Sequence, residues 1–197
     1  MSISKHSDIP SPALILIRGL PGSGKSYLAT TLRDTLGPER VTILDPDTID
    51  TNSQAYKDLC AGLTAEDVDP KFFPNRFLKA QGYQAIDAGH TIIWNQAFTD
   101  LGGLGRSSQS LIDYAAERGV SLPMLIVEME VSPATAKARI AERAGQGGHD
   151  VSTENFTRFI NDYRSFADEG YNTVTVSGES NIDISVATVL EALQRLV

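Results

Sequence analysis

An apolar run, Ala13-Leu-Ile-Leu-Ile17, passes through Arg18 directly into Gly19-Leu-Pro-Gly-Ser-Gly-Lys-Ser26. A buried strand that ends in such a loop and reopens as a helix leaves few folds available, because the loop needs both neighbours to do its work. The glycines let the chain curl around an anion and turn backbone N–H groups inward. Lys25 adds a point charge for β- and γ-phosphates, and the Ser26 hydroxyl can ligate Mg²⁺. The helix that follows aims its positive end at the same spot. Gly19, Leu20, Pro21, Gly22, Ser23, Gly24, Lys25 and Ser26, with Tyr27 in the first helical turn, are therefore expected to cradle a nucleoside triphosphate.

Beyond the loop, short apolar runs alternate with longer helical patterns, as in βαβ units around a parallel sheet. Strands are expected at about Ala13–Arg18, Val41–Leu44, Thr91–Trp94, Met124–Glu130 and Tyr171–Val176. Helices are expected at about Gly24–Leu36, Asn75–Ala88, Ser107–Arg118, Ala134–Ala144, Thr153–Ala167 and Ile184–Leu196. The stretch Thr51–Pro74 is polar and punctuated, with a short helix near Gln54–Cys60. Gly102, Gly103 and Gly105 read as a strand-to-helix turn, since no lysine accompanies them. Residues 1–12, with Pro10 and Pro12, read as a loose lead-in, and residues 13–197 as one domain. The expected architecture is a doubly wound, three-layer α/β/α fold with a five-stranded, mostly parallel sheet and a helical lid at about 139–152. Ligands of such sheets sit beyond the carboxyl ends of the strands.

Bulk properties narrow the partners. Hydrophobic residues make up 41% and charged residues 21% of the 197-residue chain, which suits a single soluble domain with a real core. The net charge of −8 argues against a long duplex nucleic acid, whose binding draws on clustered Lys and Arg. Cys60 is the single cysteine and reads as a packed residue with no disulfide to form. No run is apolar and long enough to cross a bilayer, and no basic-then-apolar leader is visible. A cytoplasmic enzyme is the expectation; the oligomeric state is left open.

Candidate chemistry lies just after the strands. Asp45 and Asp47 follow the second strand and would enter the crevice of the phosphate loop. Phosphoryl transfer needs in-line positioning, charge stabilisation and a carboxylate for the proton of the attacking hydroxyl. Asp47 is assigned as that base and Asp45 to the Mg²⁺ water shell, although such a pair also caps turns. Arg139 and Arg143 share a helix face and lead into Gly145-Gln-Gly-Gly-His-Asp150, so they are expected to meet a transferring phosphoryl group from a closing lid. His149 reads as a loop residue. Asn95 and Gln96, after the third strand, are candidate substrate contacts or loop caps, and Asp100 has either role. Phe72, Phe73 and Arg76 would sandwich a base or sugar, or fill the core under an irregular loop.

Taken together, Gly19–Ser26 and Ile43-Leu-Asp-Pro-Asp-Thr-Ile49 resemble the P-loop kinases grouped around polynucleotide kinase, chloramphenicol phosphotransferase and the zeta toxins, ATP-binding proteins of the AAA_33 kind. Zeta toxins carry a similar Asp-x-Asp-Thr step whose second Asp is the proposed base, matching Asp47. They also carry an Asn-Arg pair matching Asn75-Arg76, and lid arginines loosely like Arg139 and Arg143. The resemblance implies a P-loop NTPase fold, ATP, Mg²⁺ and transfer of the γ-phosphoryl group to a hydroxyl of a small or nucleotide-like molecule. Where zeta toxins end the third strand in a glutamate and a Gly-rich, Arg-bearing turn, this chain has Asn95-Gln-Ala-Phe-Thr99, so their sugar-nucleotide acceptor is not carried over. The alternatives are a polynucleotide 5′-hydroxyl kinase and, from another class, a nucleotide-dependent regulatory switch.

Overall fold

The strand that feeds the phosphate loop is the middle of the sheet. In the computed structural model, which describes residues 9–99, 101–145 and 151–196, β1 (Leu14–Gly19) lies between β3 (Thr91–Asn95) and β4 (Met124–Glu130). β2 (Val41–Leu44) flanks β3 and β5 (Thr173–Ser177) flanks β4, for the order β2-β3-β1-β4-β5. Every strand pair is parallel, so the sheet is wholly rather than mostly parallel. All six residues of β1 are buried, which explains its unbroken apolar run: both faces are covered.

Alternation along β1 assigns the two faces. Ile15 and Ile17 pack with Leu28 and Leu32 of α1 (Lys25–Leu36) and Val189 and Leu193 of α7 (Ile182–Gln194). Leu14 and Leu16 pack with Leu78 and Ile86 of α3 (Phe73–Asp87) and Leu111 and Ala115 of α4 (Leu101–Glu117). A third cluster, Ala136, Ile140 and Phe156, joins α5 (Pro133–Gly145) to α6 (Thr153–Asp162). The phosphate loop thus leaves the centre of the sheet at its carboxyl edge, where chain crossings diverge to either side.

Three expectations need correction. Gly102, Gly103 and Gly105 do not form a turn but lie in the opening turns of α4. Leu104, Ser107, Ser108, Leu111 and Ala115 are all buried, a helical period that runs back through the glycines and outweighs their weak propensity. The stretch after Thr51 holds a full helix, α2 (Gln54–Ala65), capped by Ser53 and carrying no buried residue. Tyr56, Leu59, Cys60 and Leu63 recur at helical spacing but are only half-buried, and Gly62, a weak helix former, obscures the second half of the helix in sequence. Finally, α6 stops at Asp162 rather than Ala167. The following residues turn inward instead, and Phe166 is buried beside Arg18.

The lead-in is described only from Ile9, and residues 146–150 of the expected lid, His149 among them, and Asp100 lie outside the described residues. Among the described residues, no helix is long and apolar enough to cross a membrane.

Candidate active site

The phosphate loop is built on backbone positions that only glycine takes easily. Gly22 has φ +80, and a Cβ there would stand 2.5 Å from the Ala136 carbonyl oxygen of α5. Gly24, at φ +97, caps α1 with no side-chain hydrogen bond. The first amides of α1 are therefore left without a side-chain acceptor, as an anion site at a helix N-terminus requires. Lys25 Nζ donates to the carbonyls of Gly19 and Leu20, at 3.0 and 3.0 Å. Burial lowers the Lys25 pKa to about 8 against the opposing pull of Asp45 and Asp47, with Arg143 adding to the fall.

Beside the loop, the carboxyl ends of β1, β2 and β3 meet. Register pairs Leu44 with Trp94 and Ile17 with Asn95, so Asp45 and Asn95, at the strand ends, are brought next to Ser26. Asn95 Nδ2 donates to Ser26 Oγ at 3.0 Å and also to Asp45 Oδ2. Asp45 Oδ1 accepts from the Asp47 amide at 2.9 Å, capping the short 3-10 turn Pro46–Thr48. Burial raises the Asp45 pKa, resisted by its bonds from Asp47 and Asn95. Asp45 is thus both a turn cap and a buried carboxylate at the loop. Asp47 is exposed and lines the cavity itself.

The cavity, about 800 Å³, is lined by Pro21, Gly22 and Gly24–Tyr27, by Asp45 and Asp47, and by Asn75, Gln96, Phe98, Thr99 and Ser107. Arg139 and Arg143 of α5 and Arg158 and Phe159 of α6 line it as well. Gly19, Leu20 and Ser23 are not on its wall; they support it from behind, Ser23 being fully buried. Gln96 lines it while its Oε1 accepts from Trp94 Nε1 at 3.2 Å. Asn75 reaches the wall and Arg76, its exposed neighbour, does not. Phe72 and Phe73 also stay off the wall: Phe73 is buried, and Phe72 is exposed with Lys71 Nζ 4.9 Å from its ring centroid.

The two predicted arginines differ in kind. Arg139 Nη2 donates to the Gly178 carbonyl at 2.9 Å and Nη1 to the Gly22 carbonyl at 3.4 Å, tying α5 to the loop. Arg143, one turn on, is exposed and sits near enough to Lys25 to lower its pKa. Arg158 and Phe159, on α6, were not anticipated. The available signal was the strong amphipathic pattern of α6, whose Phe156 faces the core while Arg158 and Phe159 follow on the cavity side.

With this geometry in hand, comparison with known proteins identifies the class. The AAA_33 family profile, an AAA domain, matches residues 14–165, and the chain belongs to this family. No curated protein matches it in sequence. Among solved structures, it is similar to a gluconokinase from Sinorhizobium meliloti 1021, at 18% identity and TM-score 0.59, covering 94% of this chain and 93% of that one. It is similar to a chain of the PezAT chromosomal toxin-antitoxin system of Streptococcus pneumoniae, at 13% identity and TM-score 0.58, covering 98% and 81%. It also resembles the APS kinase CysC of Mycobacterium tuberculosis, solved with AMPPNP and APS, at 17% identity and TM-score 0.52, covering 94% and 99%. At these identities the likeness is one of fold: the α/β fold of P-loop kinases.

Proposed function

We propose that this protein is an ATP- and Mg²⁺-dependent kinase that transfers the γ-phosphoryl group to a hydroxyl of a small or nucleotide-like acceptor. The observation that carries the reading is the exposed Asp47 carboxylate, which shares one cavity with Lys25 and the phosphate loop while further polar residues continue beyond it. A site that only bound or hydrolysed a nucleotide would not need that extra room. The volume lies within the range of about 300–1,000 Å³ usual for small-molecule sites and favours a small acceptor over a polymer. The similarity to a gluconokinase and an APS kinase supports the same reaction class.

The residues divide the work as follows. Lys25 and the loop amides hold the β- and γ-phosphates, and Arg143 and Arg158 meet charge that develops on the transferring group. Arg139 fixes α5 against the loop. Asp47 orients the acceptor hydroxyl and takes its proton as the acceptor oxygen bonds to the γ-phosphorus. The bond from that phosphorus to the β–γ bridging oxygen breaks, and ADP leaves. Asn75, Gln96, Thr99 and Ser107 offer hydrogen bonds to the acceptor. Residues 13–197 act as one domain, with a lid at about 139–152.

The donor set fits Mg²⁺. Ser26 Oγ and the Asp45 carboxylate are hard oxygens, and Asn95 Oδ1 is buried beside them with no hydrogen-bond partner among the described residues. No group of three or more His, Cys, Asp or Glu that could hold a metal occurs among those residues; P-loop sites of this kind bind Mg²⁺ through one or two protein oxygens plus substrate phosphates. When bound, Mg²⁺ would neutralise phosphate charge, with Ser26 as direct ligand and Asp45 acting through water.

The test is a screen of hydroxyl acceptors with γ-labelled ATP, using Lys25→Ala as blank. Asp47→Asn should lower transfer by about 10²–10⁴-fold and leave ATP affinity near the wild-type value. Wild-type turnover by Asp47→Asn would remove the base assignment.

A further inference from the structure

The least expected group in the core is Arg18, the residue just before the phosphate loop. Its side chain is fully buried and pairs with Glu128, its direct cross-strand neighbour in the β1–β4 register. The guanidinium lies between two rings, with Cζ 3.6 Å from the Phe166 centroid and 4.2 Å from that of Tyr163. Nε donates to the Phe98 carbonyl at 3.1 Å, and Nη1 donates to the Arg164 carbonyl at 2.7 Å. Glu128 completes the arrangement, accepting from the Phe166 amide and the Ser165 hydroxyl, each at 2.7 Å. None of these bonds reaches the nucleotide side of the cavity.

What they reach is one residue of the cavity lining and the segment just after a helix that supplies two more. Phe98 lines the cavity and has φ +45, a conformation strained for any residue with a side chain, and one that persists only where its surroundings enforce it. Residues 163–166 follow α6 directly, and α6 carries Arg158 and Phe159, which line the same cavity as Phe98. A buried ion pair adds little net stability over an apolar pair of the same shape. Its value here lies in directed hydrogen bonds that two apolar side chains would not make.

We propose that Arg18, held by Glu128, is a positioning residue for the acceptor: it locks the Phe98 wall and the base of α6 at a fixed separation. This rests on the cavity beyond Asp47 being the acceptor site. Loss of the clamp lets Phe98 relax and α6 drift, so acceptor binding loosens while the phosphate loop keeps its grip on ATP.

Trp94, the single tryptophan, reports on this wall without any substrate. It is fully buried, and its ring meets Phe98 edge to face at a centroid distance of 5.9 Å. The test pairs two variants. The double change Arg18→Met with Glu128→Gln removes both charges, leaves no unpaired ion, and keeps an amide oxygen for the Phe166 N–H. Arg18→Lys keeps the charge beside Glu128 but replaces the planar fork, whose Nε and Nη1 serve the Phe98 and Arg164 carbonyls separately, by a single nitrogen without that fixed spacing. In each folded variant, Trp94 emission should shift to the red and acrylamide should quench it more readily. ATP affinity should stay near wild type, and kcat/KM for the acceptor should fall by about tenfold to a hundredfold, chiefly through KM. Unchanged Trp94 quenching in either folded variant overturns the clamp. If wild-type protein transfers phosphate to no acceptor, the kinase reading fails, and the Trp94 measurement still decides the clamp.

Discussion

Lys25 is the residue through which pH should enter nucleotide binding. Burial holds its pKa at about 8 in the folded chain against 10.5 for an ordinary lysine. Between those values the unfolded chain binds the extra proton, so this group's contribution to stability rises with pH across that window; below about 8 its buried charge is a cost. A bound triphosphate reverses the preference by favouring the ammonium. ATP affinity should therefore fall by about tenfold between about pH 7 and about pH 9, with proton uptake seen by calorimetry in buffers of different ionisation enthalpy. A flat affinity over that range would contradict the role given to Lys25. The lysine itself was legible because the loop motif is local. The part played by Asn95 was not. As a sequence position it is an amide after a strand; it joins Ser26 to Asp45, far away along the chain, only because β3 lies between β1 and β2.

The phosphate loop is also held from outside by neighbouring elements. A Cβ on Gly178, in the turn between β5 and α7, would stand 2.2 Å from the Ser23 carbonyl oxygen, while the Gly178 carbonyl accepts from Arg139 of α5. Gly178→Ala should therefore push on backbone rather than on a flexible side chain. Stability should drop by about 1–3 kcal/mol in denaturant melts, and ATP affinity should weaken with it. Gly62 in α2 is the contrasting position, with nothing within 4 Å of the added methyl. Gly62→Ala should raise stability by about 0.5–1 kcal/mol and leave ATP binding unchanged. Equal effects at the two glycines would refute this account of loop support. Element boundaries in the sequence were clear where one face is buried throughout, as in β4 and α5. They were not clear for α2, which buries no residue, or for the end of α6, where a buried arginine captures the chain.

For the whole molecule, binding and folding are linked, because the folded chain alone assembles the loop, Asp45 and the cavity. Mg²⁺-ATP at a hundred times its Kd should stabilise the protein by about 2.7 kcal/mol. For a chain of this size that corresponds to a rise in Tm of about 5–10 °C, read by differential scanning. Lys25→Ala should lose most of the rise, and an equal rise in that variant would mean that the nucleotide binds elsewhere. The net charge of −8 leaves little general attraction for a polyanion, so under the proposed function the arginines facing the cavity would act locally, within a Debye length of their target.

The primary sequence was enough to mark a glycine-rich loop between a buried strand and a helix, the alternation that builds a parallel sheet around it, and an acidic pair at the next strand end. Each of these depends on neighbours a few residues apart, where backbone sterics and side-chain period act directly. Folding alone decided that Asn95 joins the Ser26–Asp45 pair, that Asn75 rather than Arg76 faces the cavity, and that Arg18 is sealed in the core beside Glu128. Those outcomes turn on which strands lie side by side and on where α6 ends, and such contacts form between residues that the chain itself keeps far apart.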